Sequence, residues 1–265
     1  MLTAKPNNRR TIASVQRALD ILNLFNNGQV ELGNAEIARL VGLPVGTASG
    51  LIYTLKINNY LDQNPANRKY RLGLKLAERA AVLLDQLDIR KVSAPYLEEL
   101  RVWCDESINL AMRDGGEVVY IERLFGNHAL GIRSELGKRG PLHSTSLGKA
   151  IAAYLPESEF KAIFADYDFF AVTPFTITNF QQFKEEIIKI RATGYAVDEQ
   201  ENEMGGRCIG APIFDHTGYP IAAVSVSVPI QRLPDQAVER FGRKLIETAK
   251  LISQQMGNSR ERFTN

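Results

Sequence analysis

The chain has 265 residues, 45% of them hydrophobic and 23% charged, with a net charge of +2, an ordinary globular composition with length enough for two domains. No apolar run approaches the roughly 20 residues needed to span a bilayer, and the polar, basic stretch Met1–Arg10 lacks the apolar centre of a secretory signal. Two cysteines without CxxC spacing, Cys104 and Cys208, exclude a disulfide framework and suit a reducing cytoplasm.

Charge is unevenly spread. Residues 1–75 hold ten Lys and Arg against four Asp and Glu, so they carry +6 and the remainder −4, as expected when one end meets a polyanion. From Thr11 to Asn26, Ile12, Val15, Leu19, Leu22 and Phe25 recur three and four apart, which predicts a helix with that face buried, closed by Asn26-Asn27-Gly28. Asn34 is suited to cap a short second helix over 35–40. Val41-Gly42-Leu43 reads as a tight turn, and Pro44 opens a third helix whose inward residues are Ala48, Leu51, Ile52 and Leu55, ending near Asn58-Asn59. Two short helices joined by a Gly-containing turn form a helix-turn-helix, with the second helix in the major groove of DNA.

Short strands over 60–63 and 69–72 flank the turn Asn64-Pro65-Ala66-Asn67, forming a wing whose Arg68, Lys69 and Arg71 suit phosphates. On the third helix the outward residues include Thr47, Ser49, Tyr53, Thr54 and Lys56, candidates for base or phosphate contact alongside Asn34 and Pro44. No Arg, Asn or Gln precedes Lys56 on that helix, so base readout is weak per site and is supplemented by wing contacts, DNA shape and oligomerisation. DNA-binding over 1–73, a linker helix over 74–92, a second domain over 93–257 and a disordered tail over 258–265 complete the expected organisation.

The linker helix runs from Gly73 to about Lys91 and could pack against a second subunit; Pro95 then lies in the first turn of another helix ending near Cys104. Ser107 to Asp114 and Glu117 to Leu124 read as strands around the Gly115-Gly116 hairpin, with a third strand over 131–135. Helices follow over 145–154, 157–165 and 179–193, the last closed by Gly194. Strands over 207–214 and 219–228 flank His216-Thr217-Gly218, and an amphipathic helix spans 235–255. The fold class is therefore α+β: a winged helix-turn-helix, a linker helix, and a mainly antiparallel sheet flanked by helices.

Several segments resemble one family in the same order: Ser14-Val15-Gln16-Arg17-Ala18-Leu19-Asp20-Ile21-Leu22, Gly42-Leu43-Pro44, Tyr70-Arg71-Leu72-Gly73, Pro141-Leu142-His143-Ser144-Thr145-Ser146-Leu147-Gly148-Lys149-Ala150 and Gly205-Gly206-Arg207-Cys208-Ile209-Gly210-Ala211-Pro212. The chain is similar, over about residues 12–255, to the IclR regulators. That resemblance implies a bacterial cytoplasmic transcription regulator, a GAF-like effector domain, and a homodimer or dimer of dimers on double-stranded operator DNA. Val45 and Gly50 depart from the basic residues often found at those positions.

The resemblance also implies a pocket for a small carboxylic acid, formed by the backbone of Ser146 and Leu147 with Ile132, Asp198, Cys208, Ser225 and Ser227. Thr145 and Ser146 can cap the following helix, whose free amides attract a carboxylate. Ser225 and Ser227 share one face of an apolar strand, a pattern also met in core serines bonded to nearby backbone. Asp198 next to an anion implies a ligand hydroxyl or hydrated carbonyl, or a protonated Asp198; the rest of its acidic run reads as a solvated loop. Gly140 and Gly206 stand where bulkier residues line the pocket of members that bind very small keto acids, which implies a larger, aromatic or hydroxy acid.

Two other classes compete. Cys208 with His143 and Asp198 could form a thiol hydrolase triad, although a thiol in an apolar strand is more often inert. A protein-interaction adaptor would keep the fold without duplex binding. His128, His143 and His216 are too scattered for a metal site, and no phosphate-loop glycine pattern is present, so neither metal nor cofactor is expected.

Overall fold

The computed structural model describes residues 11–26, 28–86, 88–129, 131–132 and 134–258. Asn27 of the first helix stop and the tail beyond 258 therefore lie outside the described residues. The chain divides into two compact units, Met1–Gln86 and Leu87–Asn265.

The first unit orders α1 (Ala13–Leu22), α2 (Asn34–Leu40), α3 (Val45–Ile57), β1 (Leu61–Gln63), β2 (Tyr70–Leu72) and α4 (Lys75–Asp85). Helices α2 and α3 turn by 109° at Gly42, whose φ of +67° is a left-handed conformation that glycine adopts without strain. Ile21, Phe25, Leu32, Ile37, Ala38, Ala48, Ile52 and Leu61 form the buried core, and burial of each such apolar side chain supplies about 1.5–3 kcal/mol. Strands β1 and β2 pair antiparallel, and Leu32 bridges Tyr70 as a third rung, a pairing the sequence does not signal.

Two expectations fail here. The face of α1 expected to be buried is largely outside: Ile12, Val15 and Leu19 are 70%, 55% and 49% exposed, while Ile21 and Phe25 enter the core. Periodicity finds an apolar face but not what covers it. Asn34 is not a cap. Gly33 takes that position and donates its N–H to the Glu36 carboxylate at 3.4 Å, the return half of a capping box.

The linker is not one helix. Its helix ends at Asp85, and a second helix, α5, spans Asp88–Cys104. Asp88 supplies the first-turn carboxylate that favours a helix start, so Pro95 lies in the interior of α5 rather than its first turn. No helix among the described residues is long and apolar enough to cross a membrane.

In the second unit, β3 (Ser107–Asp114), β4 (Glu117–Leu124), β5 (Arg139–Pro141), β6 (Ala196–Glu199), β7 (Gly206–Phe214) and β8 (Pro220–Pro229) make one sheet in the order β5-β4-β3-β8-β7-β6, antiparallel throughout. The strand expected over 131–135 is absent from its described residues; the sheet instead takes Arg139–Pro141, with Val118 opposite Gly140. Strand β6 was also unsignalled. Its residues lie at the head of the acidic run, and pairing of Asp198 with Cys208 draws them onto the sheet edge.

Helices α6 (Ser146–Ala152), α7 (Glu157–Phe164) and α8 (Phe180–Thr193) pack with Ala111, Val118 and Ala223 of the sheet. Helix α9 (Asp235–Gln255) packs on β7 and against α5. Asn179 caps α8 by accepting the Gln182 N–H at 2.9 Å, and Gly194 ends it.

Candidate functional site

The first candidate surface is the outer side of α3 with the wing. Thr47, Tyr53, Thr54 and Lys56 are exposed there, Tyr53 by 64%. Small residues at Gly46 and Gly50 leave the helix backbone open, with nothing near the position of an added Cβ. The Thr54 hydroxyl bonds back to the Gly50 carbonyl at 2.9 Å, and Lys56 Nζ donates to Gln63 Oε1 at 2.8 Å.

Asn34 and Ser49 serve a different end. Asn34 Nδ2 donates to Ser49 Oγ at 2.7 Å, and that hydroxyl donates to the Val45 carbonyl at 2.7 Å. Expected as contacts, they tie α2 to α3. Pro44 is the N-cap of α3 and is exposed.

Arg68, Lys69 and Arg71 are exposed on the wing; Arg71 pairs with Asp62 at 2.7 Å. The residue that sequence reading missed is Glu31. Its carboxylate accepts from the Asn67 and Asn64 side-chain amides at 2.7 and 2.8 Å. These bonds hold its pKa below the usual carboxylate range and pin the wing turn to the segment preceding α2.

The second candidate site is a cavity in the second unit. Gly210 makes it possible: a Cβ there would come within 2.7 Å of the Ser146 carbonyl oxygen and 2.8 Å of its carbon, so only glycine lets the first turn of α6 lie directly on β7. Thr145 caps α6, its Oγ1 accepting the Gly148 N–H at 3.0 Å. Of the residues expected around a ligand, Ile132, Ser146, Asp198, Gly206, Cys208, Ser225 and Ser227 line this cavity together. Leu147 and Gly140 are not among its walls. A Cβ on Gly140 would meet the Thr145 methyl at 2.9 Å and Tyr120 at 3.6 Å, so its missing side chain makes room for protein rather than ligand. Gly206 is confined as well, with Ile132 3.4 Å from an added Cβ. The enclosed space is about 30 Å3, enough for about two waters.

Tyr120, Ser134, Lys138, Thr145, Asn202 and Glu203 also line the cavity and were missed as ligand-facing residues. Ser134 and Lys138 belong to an irregular segment, Ser134 inside the stretch read as a strand; Tyr120, Asn202 and Glu203 lie outside the quoted motifs, and Thr145, inside one, was read only as a helix cap. Among the described residues, the exposed Lys138 is the one basic residue lining the cavity, beside hydroxyls and the carboxyls of Asp198 and Glu203.

Asp198 is 4% exposed and its Oδ1 accepts the backbone N–H groups of Glu201 and Asn202 at 2.7 and 3.2 Å. Burial pushes its pKa up to about 7, against the pull of Lys149. The acidic run is therefore not a solvated loop throughout: Glu201 is 5% exposed and pairs with Lys149. Lys149 is wholly buried and also bonds the Val197 carbonyl at 2.5 Å and Glu186 at 3.3 Å. Desolvation opposes its charge, but the Glu201 and Glu186 carboxylates outweigh it and keep the ammonium protonated.

No hydrolase geometry forms at Cys208. Burial, with Asp198 adjacent, drives its thiol pKa far above the ordinary value, so the thiolate nucleophile is suppressed. His143 has both ring nitrogens engaged elsewhere, Nδ1 with the Tyr167 hydroxyl and Nε2 with the Phe170 carbonyl, each at 3.0 Å. Burial also lowers its pKa.

Comparison with known proteins supplies independent findings. Residues 14–65 match the IclR helix-turn-helix domain, and residues 81–254 match the family described as bacterial transcriptional regulator IclR C-terminal. The chain is 38% identical over 246 residues to the HTH-type transcriptional regulator XynR of Escherichia coli K12, covering 93% of this chain and 98% of that one. It is 32% identical over 247 residues to the HTH-type transcriptional regulator KdgR of Dickeya chrysanthemi, covering 93% and 81% respectively. The crystal structure of the Thermotoga maritima IclR superposes with a TM-score of 0.77 at 33% identity, covering 92% of this chain and 99% of that one.

Proposed function

The chain belongs to the IclR family of bacterial transcriptional regulators rather than to any enzyme family, and from that premise we propose that its affinity for operator DNA is controlled by a small carboxylic acid held in the cavity beside Cys208. The observation that carries this reading is the convergence of Ser146, Asp198, Ser225 and Ser227 on one enclosed space under the first turn of α6. Hydroxyls and backbone amides there can bond a carboxylate. Asp198 in its protonated form can donate to it, or accept from a ligand hydroxyl when ionised.

Residues 1–73 bind the duplex in this reading, 74–92 join the parts and 93–257 hold the ligand. Thr47, Tyr53, Thr54 and Lys56 face the major groove, and Arg68, Lys69 and Arg71 reach phosphates, while Asn34, Pro44 and Ser49 position the helix pair. The space seen admits about two waters, so even a compact hydroxy acid needs Ser134 and Lys138 to move outward, and an aromatic acid needs them to move further.

The working form is a homodimer or dimer of dimers in the cytoplasm. Exposure of Ile12, Val15 and Leu19 on or beside α1, and of Leu74, Val82 and Leu83 (84%, 52% and 59%) on or beside α4, supports a subunit contact. A ligand that prefers one arrangement of the dimer shifts DNA affinity by its differential affinity and no more; tenfold control needs about 1.4 kcal/mol. Thermal-shift screening of small carboxylic acids, followed by a mobility-shift titration on upstream duplex, tests the proposal. A stabilising acid that changes duplex affinity is expected; acids that leave both unchanged overturn it.

A further inference from the structure

Asn109 lies on β3, is 2% exposed, and is not itself a wall of the cavity. Its side chain nonetheless joins two groups that are. Nδ2 donates to Ser227 Oγ at 3.1 Å, while Oδ1 accepts the hydroxyl of Ser134. Ser227 stands on β8 of the sheet and Ser134 on the irregular segment that also lines the cavity. The backbone of that segment is held independently, because Arg123 Nη1 donates to the Ser134 carbonyl at 2.5 Å. The amide of Asn109 therefore adjusts hydroxyls rather than merely fastening a loop.

A serine hydroxyl has one proton and two lone pairs. Ser134 spends its proton on Asn109, so it can only accept from anything in the cavity. Ser227 has one lone pair filled by Asn109 and keeps its proton to donate. Its neighbour across the ladder is Cys208, whose sulfur is a weak acceptor that an anionic oxygen outcompetes.

We propose that Asn109 is a positioning residue that sets the ligand class: through these two bonds it fixes Ser227 as donor and Ser134 as acceptor, and so selects an acid bearing a hydroxyl beside its carboxylate. The carboxylate takes the Ser227 proton and the ligand hydroxyl donates to Ser134. A deoxy acid leaves the half-buried Ser134 without the ligand hydroxyl it is set to accept from, which is the kind of mismatch by which polar sites discriminate. This inference rests on the effector reading of the cavity given above.

The test compares matched acids by calorimetry on the full-length protein: glycolate with acetate, each enantiomer of lactate with propionate, and mandelate with phenylacetate. The unaltered chain is expected to bind at least one hydroxy acid tenfold or more tighter than its deoxy partner. Asn109→Leu releases both hydroxyls and is expected to bring that ratio within about twofold of unity. Ser134→Ala, on an irregular segment, serves where Asn109→Leu fails to fold: it is expected to bring the ratio of hydroxy-acid to deoxy-acid affinity within about twofold of unity. Ser227→Ala is expected to weaken both acids alike. Retention of the ratio in Asn109→Leu or Ser134→Ala overturns the inference, as does an equal loss for both acids in Ser134→Ala. If no acid binds the unaltered chain, the effector reading itself falls, a result distinct from binding without discrimination.

Discussion

Replacing Lys149 with Met should be among the most damaging single changes in the second unit. The ammonium is wholly buried, ion-paired to Glu201 and Glu186, and bonded to the Val197 carbonyl. Removing one partner of a buried pair leaves uncompensated charge and costs about 3–5 kcal/mol. At roughly 2–4 °C per kcal/mol for a unit of this size, the melting temperature falls by about 6–20 °C. The loss should depend on pH with a definite sign. Asp198 already has its folded pKa raised to about 7 from 3.8, so its ionisation penalty is present in full above pH 7 and is relieved as pH falls towards the unfolded value. Without Lys149 the penalty grows, so the variant's deficit should be larger at pH 8 than at pH 5.5. Calorimetric melting at both values measures this. The pair Lys149→Met with Glu201→Leu should regain a large part of the loss, since apolar groups of similar size replace the ions. A deficit below about 1 kcal/mol, or one equal at both pH values, would refute the reasoning.

Asp198→Asn should raise stability more at pH 8 than at pH 5, because it removes a carboxyl whose raised pKa penalises folding above about 7; parallel melting curves at the two values check this. Lys69→Ala should lower the slope of log affinity for duplex against log salt by about 0.9, read by filter binding across salt, if that exposed wing cation meets one phosphate. Leu83→Glu, placed on the exposed apolar side of α4, should shift the oligomer towards monomer in sedimentation equilibrium. Burial holds Cys104 at a pKa of about 11 and drives Cys208 higher still, so iodoacetamide at pH 7.5 should label neither thiol until the chain unfolds.

How much of this was legible in the residues depends on how local the signal is. Helices α2, α3 and α9 and the β3–β4 and β7–β8 hairpins announce themselves through apolar spacing, Pro44, Gly42 and Gly115-Gly116. Pairing partners do not. The bridge from Leu32 to Tyr70 joins residues 38 positions apart by sequence number, and Glu31 reaches Asn64 and Asn67 over a similar span. Strand β6 hid because its acidic side chains read as solvated, while Lys149 neutralises part of that charge from a distant helix. The cavity was legible in its strand serines, Asp198 and Cys208, whose alternation and motif place them, but not in Ser134 or Lys138. Gly140 misled because a missing side chain says nothing about which neighbour fills the space; here it is Thr145.

The central claim joins a DNA-reading α3 and wing to a carboxylate-sensing cavity in one chain. The most direct measurement is the dissociation constant for upstream duplex at fixed low salt, with and without an acid that stabilises the protein, repeated on Tyr53→Ala with Lys69→Ala and separately on Ser227→Ala. The account predicts weaker duplex binding in the first variant with acid-induced stabilisation intact, and unchanged duplex affinity in the second with the acid response lost. Duplex binding that survives the first changes undiminished, or an acid response that survives the second, contradicts it.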